Sequence, residues 1–255
     1  SRGLVGSEMC IRDSFLLYSY LEGAFKNKIG KNIFMKAFIL AAGKGERLKP
    51  LTNEIPKPLI KIKGKPLLEW SLIKLRSAGI KEIVINLHHL GDQIINYFGN
   101  GKRLNIKIDY SIEEKLLGTG GALIQGKKYL DDSPFLLISG DLWTDYPFQR
   151  LISKDLKQKA HLVLIKKNEA RSGDFNLMNS IINSDSYDKE YTYSGISLLD
   201  PCVIPQGESL NKELWNDVLK PLTKDNKITG EVFHGLVKNI NKVSDIEELD
   251  VAITE

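Results

Sequence analysis

Short apolar runs that end on glycine recur along this chain, and they constrain its fold more than any other feature. Ala37-Phe38-Ile39-Leu40-Ala41 leads into Gly43 and Gly45, and Phe135-Leu136-Leu137-Ile138-Ser139, the most apolar strand of the sequence, leads into Gly140-Asp141. Continuous apolar runs predict strands buried on both faces. Helical patterns stand between them: 67–78, apolar at 68, 72 and 75 and stopped by Gly79, a short helix over 91–98, and one from 120 to 129. Further strands are predicted at 82–86, 106–110 and 162–165. The alternation predicts an α/β fold, Rossmann-like, with a mostly parallel sheet and helices on both faces. After Arg171 the pattern changes to short β segments around 175–182 and 191–199, then helices at 210–219 and 244–253. This β-rich second half is expected to supply one wall of a cleft.

Residues 35–255 are read as one domain. Residues 1–34 show no amphipathic period and are expected to be a disordered or artefactual extension, with Met35 as the expected start. Their apolar cluster, Phe15-Leu16-Leu17-Tyr18, is too short to span a membrane. A net charge of +4 without any Lys/Arg block interleaved with aromatics excludes an obvious nucleic-acid surface. Cys10 and Cys202 are far apart in sequence and the four histidines lack metal-ligand spacing, so a reduced, cytoplasmic protein is expected. No sequence feature sets an oligomeric state; a monomer is one option.

The candidate chemistry lies in the loops. In an open parallel sheet, ligands bind at the carboxyl ends of the strands. After β-forming Leu40-Ala41, Gly43 and Gly45 let backbone N–H groups approach a phosphate, and Lys44, Arg47 and Lys49 add positive charge. Pro56-Lys57-Pro58 is expected to hold its lysine in a stiff, extended segment. Leu117-Gly118-Thr119-Gly120-Gly121-Ala122 is a second glycine loop opening a helix. Asp141 follows a strand too apolar to end in a carboxylate by accident, and is well placed to hold Mg²⁺ against phosphate oxygens. A dinucleotide-binding oxidoreductase is disfavoured, because Asn86 ends the second strand where an acidic ribose-binding residue would stand.

Taken in order, these segments resemble the sugar-1-phosphate nucleotidyltransferases, from Lys36 to about Ile253. The resemblance rests on Leu40-Ala41-Ala42-Gly43-Lys44-Gly45-Glu46-Arg47-Leu48-Lys49-Pro50-Leu51-Thr52 and on Pro56-Lys57-Pro58-Leu59. Within that family, Gly140-Asp141-Leu142-Trp143-Thr144-Asp145-Tyr146 and Tyr193-Ser194-Gly195-Ile196-Ser197 are most similar to the uridylyltransferases of N-acetylmuramate 1-phosphate. The mannose-1-phosphate guanylyltransferases share much of the frame. The resemblance implies two small-molecule substrates, a nucleoside triphosphate (UTP) and a sugar 1-phosphate, with Mg²⁺ as cofactor and neither nucleic acid nor membrane as partner. It implies that Arg47 and Lys57 are catalytic and that Ala41, Ala42, Gly43, Lys44, Gly45, Glu46, Glu113, Thr119 and Gly120 bind the nucleotide. Ser139, Asp174, Gly195 and Glu231 would contact the sugar, and Asp141 the metal. The family's second metal-binding aspartate corresponds to Asn239 in Val237-Lys238-Asn239-Ile240-Asn241-Lys242, where an amide replaces a charge. That departure admits a catalytically impaired, nucleotide-sugar-binding regulatory protein as an alternative.

Overall fold

The computed structural model describes residues 35–167, 173–185, 189–206 and 211–252; the segment 1–34 and residues 210 and 253 of the last two expected helices lie outside them. The strands are β1 (Ala37–Leu40), β2 (Lys61–Ile62), β3 (Lys65–Pro66), β4 (Glu82–Leu87), β5 (Lys107–Ile112), β6 (Phe135–Ser139) and β7 (Leu142–Thr144). They continue as β8 (Ala160–Lys166), β9 (Asn176–Met178), β10 (Ile181–Asn183), β11 (Tyr191–Leu199), β12 (Ile228–Val232) and β13 (Val237–Asn239). The helices are α1 (Leu67–Ser77), α2 (Gly91–Phe98), α3 (Gly118–Gly126), α4 (Gln149–Ile152), α5 (Lys220–Thr223) and α6 (Val243–Ala252). Among the described residues no helix is long and apolar enough to cross a membrane.

The α/β class expected from the sequence holds, and the sheet is mixed. Its nine strands run in the order β5-β4-β1-β6-β11-β8-β12-β10-β9. β5, β4, β1 and β6 are parallel neighbours. β11 then reverses direction between β6 and β8, and only β12 on β8 is parallel thereafter. β1, β4 and β6 are buried on both faces, as their apolar runs predicted, while β5 at the edge is only half-buried; Phe38, Val84 and Leu137 belong to one core cluster with Leu123 of α3. The central β12 escaped prediction because Gly230 and Glu231 interrupt its apolar pattern. Gly230 belongs there because a Cβ would lie 2.6 Å from Ile182 Cδ1. The predicted helix at 210–219 is instead a π-helical turn, Leu214–Leu219, running into α5.

Two small ribbons lie outside the main sheet and position the site. β2 and β3 form a hairpin ahead of α1, and β7 pairs antiparallel with β13. Behind them Leu48, Ile60, Ile62, Leu67, Ile240 and Leu249 form a second, separate apolar cluster.

Helix α3 approaches β1 through Gly126, where a Cβ would come within 2.7 Å of Phe38 Cζ. Phe38 is fully buried and cannot retreat. Gly126→Ala is expected to destabilise by about 1–3 kcal/mol despite alanine's higher helix propensity. The cost should shrink in a Phe38→Leu background, as read by denaturant unfolding of the double-mutant cycle.

Candidate active site

The carboxyl ends of β1, β4, β5 and β6 open into a cleft of about 660 Å³. Of the residues singled out from the sequence, Ala41, Ala42, Gly43, Gly45, Glu46, Arg47, Lys57, Glu113, Thr119, Ser139 and Asp141 line it. Lys44, Gly120, Asp174, Gly195, Glu231 and Asn239 do not. Asn86, Leu116, Asn211, Glu213 and Asn241 line it as well.

The first loop takes its shape from one glycine and leaves another open. Gly45 has φ 65°, and a Cβ there would lie 2.8 Å from Thr52 Cγ2. Its carbonyl accepts the Thr52 hydroxyl at 2.9 Å, and a 3-10 turn, Glu46–Leu48, follows and buries Leu48. A Cβ at Gly43 would meet no protein atom, so packing does not demand glycine there. That open side suits a ligand approaching the backbone. Lys57, expected in an extended segment, opens a single 3-10 turn, Lys57–Leu59, closed by Ile60 N–H on the Lys57 carbonyl at 3.1 Å. Only Pro56 before it is extended.

Polar groups converge at the cationic end. The Lys57 ammonium donates to Asp141 Oδ2 at 2.5 Å and to Asn241 Oδ1 at 3.3 Å. Arg47 donates to the same Asn241 oxygen at 2.6 Å. The ribbon explains how residues a hundred positions apart meet. Asp141 directly precedes β7, and the Ile240 N–H extends the ladder by donating to the Asp141 carbonyl at 3.0 Å. Asn239 is therefore still inside the ladder, opposite Leu142, with its side-chain oxygen buried and without a hydrogen-bond partner. The amide that reaches the cleft is Asn241, two residues on. Its loop is held by Asp245, the third residue of α6, whose carboxylate accepts the N–H groups of Asn241 at 2.7 Å and Lys242 at 2.9 Å, a capping arrangement.

The opposite end is acidic. Glu113 is buried, and its carboxylate accepts from Asn86 Nδ2 at 2.6 Å and from Leu117 N–H at 3.2 Å. Gly120 is kept from the cleft because its N–H and that of Gly121 cap onto the Lys212 carbonyl, at 2.8 and 3.1 Å. A Cβ at Gly118 would lie 2.6 Å from that oxygen, so the second glycine loop is shaped by this packing. The same segment brings Asn211 and Glu213 to the cleft, with Glu213 accepting the Thr119 hydroxyl at 3.1 Å.

The residues assigned to the sugar are spread along the second half. Ser139 lines the cleft, and Gly195 abuts it: φ is 88° and a Cβ would lie 2.6 Å from Ser139 Oγ. Gly195 sits where β11 shifts register on β8. Asp174 accepts the Thr192 hydroxyl. Glu231 accepts the Tyr146 hydroxyl at 2.8 Å and faces His161 Nε2 at 3.4 Å. The His161 bond, joined by Tyr146, holds the Glu231 carboxyl below its usual range against the opposing effect of burial.

Residues 36–180 match the sequence profile of the nucleotidyl transferase family. The N-acetylmuramate alpha-1-phosphate uridylyltransferase of Neisseria meningitidis serogroup B is 36% identical over 222 residues, covering 84% of this chain and 96% of that protein. The chain belongs to the nucleotidyl transferase family. The mannose-1-phosphate guanyltransferase of Aspergillus oryzae is 38% identical over 120 residues, 46% of this nucleotidyl transferase but 33% of its own length. Among solved structures, HddC from Yersinia pseudotuberculosis, complexed with GMP-PN, superposes with a TM-score of 0.71 at 25% identity, covering 86% of this nucleotidyl transferase and all (100%) of that chain.

Among the described residues no group of three or more His, Cys, Asp or Glu could hold a metal ion. A divalent cation in this nucleotidyl transferase would share the Asp141 carboxylate and the Asn241 amide oxygen with ligand phosphates. Hard oxygen donors of this kind suit it, and the Lys57 ammonium already stands between them as a positive charge.

Burial opposes ionisation of Asp245, yet the two backbone N–H groups and Lys238 hold its carboxyl below the usual range. A depressed carboxyl pKa stabilises the fold above the unfolded-state value, about 3.9, and that stabilisation is lost as pH falls through the folded value. Asp245→Asn is thus expected to lower the unfolding midpoint at pH 7 and at pH 5 alike. The gap to wild type should close below about pH 4, as followed by thermal unfolding across that range.

Proposed function

We propose that this nucleotidyl transferase moves the uridylyl group of UTP onto N-acetylmuramate 1-phosphate, releasing pyrophosphate, in cytoplasmic recycling of cell-wall sugar. The observation that carries transfer chemistry is the meeting of Arg47, Lys57, Asp141 and Asn241 at one end of a cleft fed by four parallel strands. The choice of UTP and N-acetylmuramate 1-phosphate is supported by the likeness to the Neisseria enzyme over nearly its whole length. The mannose-1-phosphate guanylyltransferase of Oryza sativa matches over 83% of this chain, but at 28% identity and over 62% of its own length.

A sugar-1-phosphate oxygen forms a bond to the α-phosphorus while the bond from that phosphorus to the β-phosphate's bridging oxygen breaks. The attacking phosphate monoester is largely dianionic near pH 7, its second pKa being about 6, so no side chain has to act as base. The protein's task is to bring two polyanions together and hold them in line. Lys57 is tethered by Asp141 and nearly buried, and in this reading it lies between the α-phosphate and the incoming sugar phosphate. Arg47 reaches from the first loop toward the leaving pyrophosphate, and Gly43 offers open backbone to the β- and γ-phosphates. Mg²⁺, held by Asp141 and Asn241 with phosphate oxygens, would supply neutralisation of the triphosphate charge. Ser139, Gly195, Asp174 and Glu231 belong to the sugar side in this reading. A catalytically impaired, nucleotide-sugar-binding regulatory protein stays the second reading, because the second metal position is an amide whether Asn239 or Asn241 fills it.

Pyrophosphate release measured with UTP, GTP, CTP and dTTP against several sugar 1-phosphates should give its highest kcat/KM with UTP and N-acetylmuramate 1-phosphate. A higher value for GTP with mannose 1-phosphate would overturn the substrate assignment. Arg47→Ala and Asp141→Ala should each lower kcat/KM by about 100-fold or more. Asn241→Asp should tighten Mn²⁺ binding while Asn239→Asp leaves it unchanged; the reverse result would return the metal role to Asn239.

A further inference from the structure

We propose that Asn86 is a positioning residue that locks the first, phosphate-facing loop to the second glycine loop through Glu113, and thereby sets the affinity for the nucleotide. The inference rests on reading the cleft as a nucleoside triphosphate site. Asn86 is the penultimate residue of β4 and is 3% exposed. Its Oδ1 accepts the Ala41 N–H at 2.7 Å, where the chain leaves β1 for the first loop. Its Nδ2 donates to Glu113 Oε1 at 2.6 Å, and Glu113 Oε2 accepts the Leu117 N–H at 3.2 Å. The backbone of Glu113 is fixed as well, its N–H on the Leu87 carbonyl at 2.8 Å and its carbonyl against His88 Nδ1 at 2.9 Å. An unbroken chain of hydrogen bonds therefore runs from Ala41 to Leu117 along the cleft wall.

The chemistry at position 86 is specific. The Ala41 N–H requires an acceptor and the Glu113 carboxylate requires a donor, and the asparagine amide provides both at this length. Aspartate would set a second carboxylate against Glu113, and alanine would leave a buried N–H and a buried carboxylate oxygen unpaired. Without the bridge, the two loops emerge from different strands and lose this hydrogen-bonded path between them. With it, their spacing is fixed before ligand arrives, which lowers the ordering cost of binding. The effect should fall on the nucleotide, whose two ends these loops face, and spare the sugar 1-phosphate, which meets the Ser139–Gly195 side.

Exchanging the two groups tests this. Asn86→Asp alone is expected to raise the nucleotide KM about tenfold or more, as loss of a hydrogen bond to a charged group implies, with sugar 1-phosphate KM unchanged. Glu113→Gln alone should act in the same direction, since one of its contacts must then place donor against donor. The double variant Asn86→Asp/Glu113→Gln restores acceptors to Ala41 and Leu117 with a donor between the side chains, so its nucleotide KM should return to within about threefold of wild type. A double variant worse than either single, or a sugar KM that rises in step with the nucleotide KM, would overturn the proposal. Amide hydrogen exchange at Ala41 and Leu117, in the absence of any substrate, separates the two levels of inference. Both amides should exchange faster in each single variant and recover in the double; unchanged exchange in Asn86→Asp sinks the bridge itself. Intact coupling in a wild-type protein that neither binds nor turns over nucleotide would sink only the functional reading.

Discussion

Leu48, Ile60, Ile240 and Leu249 pack into one small apolar cluster behind the cleft, and the cationic end of the site depends on it. Each of the first three anchors a chain segment whose functional residue lies close by: Arg47 beside Leu48, Lys57 at the head of the turn that Ile60 closes, and Asn241 beside Ile240. Two cations around one amide oxygen repel each other, and burial of three or four aliphatic side chains, at about 1.5–3 kcal/mol each, supplies ample opposing stabilisation. Leu249 ties α6 into the same cluster, and Asp245 of that helix holds the Asn241 loop. The site is thus built on packing first and on charge second.

The cleft that results has a direction. Arg47, Lys57, Asp141 and Asn241 occupy one end, where β1 and β6 terminate; Glu113, Thr119 and Glu213 occupy the other, where β5 ends and α3 begins. Under the proposed function, a nucleoside triphosphate would lie with its phosphates toward the cations and its uncharged base and ribose toward the carboxylates. Glutamates that would be costly near phosphate are tolerated at the other end, where Asn86 and the Leu117 N–H donate to Glu113 and the Thr119 hydroxyl donates to Glu213.

The parallel half of the fold was legible in the sequence because β1, β4 and β6 are apolar runs bounded by glycine and β5 alternates as an edge strand does, and β6 matches its expected limits residue for residue. The second half was not, for a physical reason: β12 is central yet carries Gly230 and Glu231, and β7 and β13 are three-residue strands with no room for a period. The site shows the same division. Residues carried on the first loop, on the Pro-Lys-Pro turn and at the end of β6 could be placed from local spacing alone. Asn241 could not, because its position is set by the β7–β13 register, and a two-residue displacement at the end of a ladder leaves no local trace. Asn86 did carry a signal, a polar side chain closing an apolar strand at the carboxyl edge, as at Asp141. Asn211 and Glu213 carried none, since only tertiary packing against α3 brings them to the cleft.

If the Lys57 ammonium occupies the position of a bound cation between Asp141 and Asn241, removing it must strengthen cation binding. Titration of nucleotide-free Lys57→Met with Mn²⁺, followed by electron paramagnetic resonance, measures this without any turnover. A dissociation constant lower than wild type by at least about threefold is expected from relief of a like charge at contact distance. An affinity equal to or weaker than wild type would contradict the placement of the metal between those two oxygens.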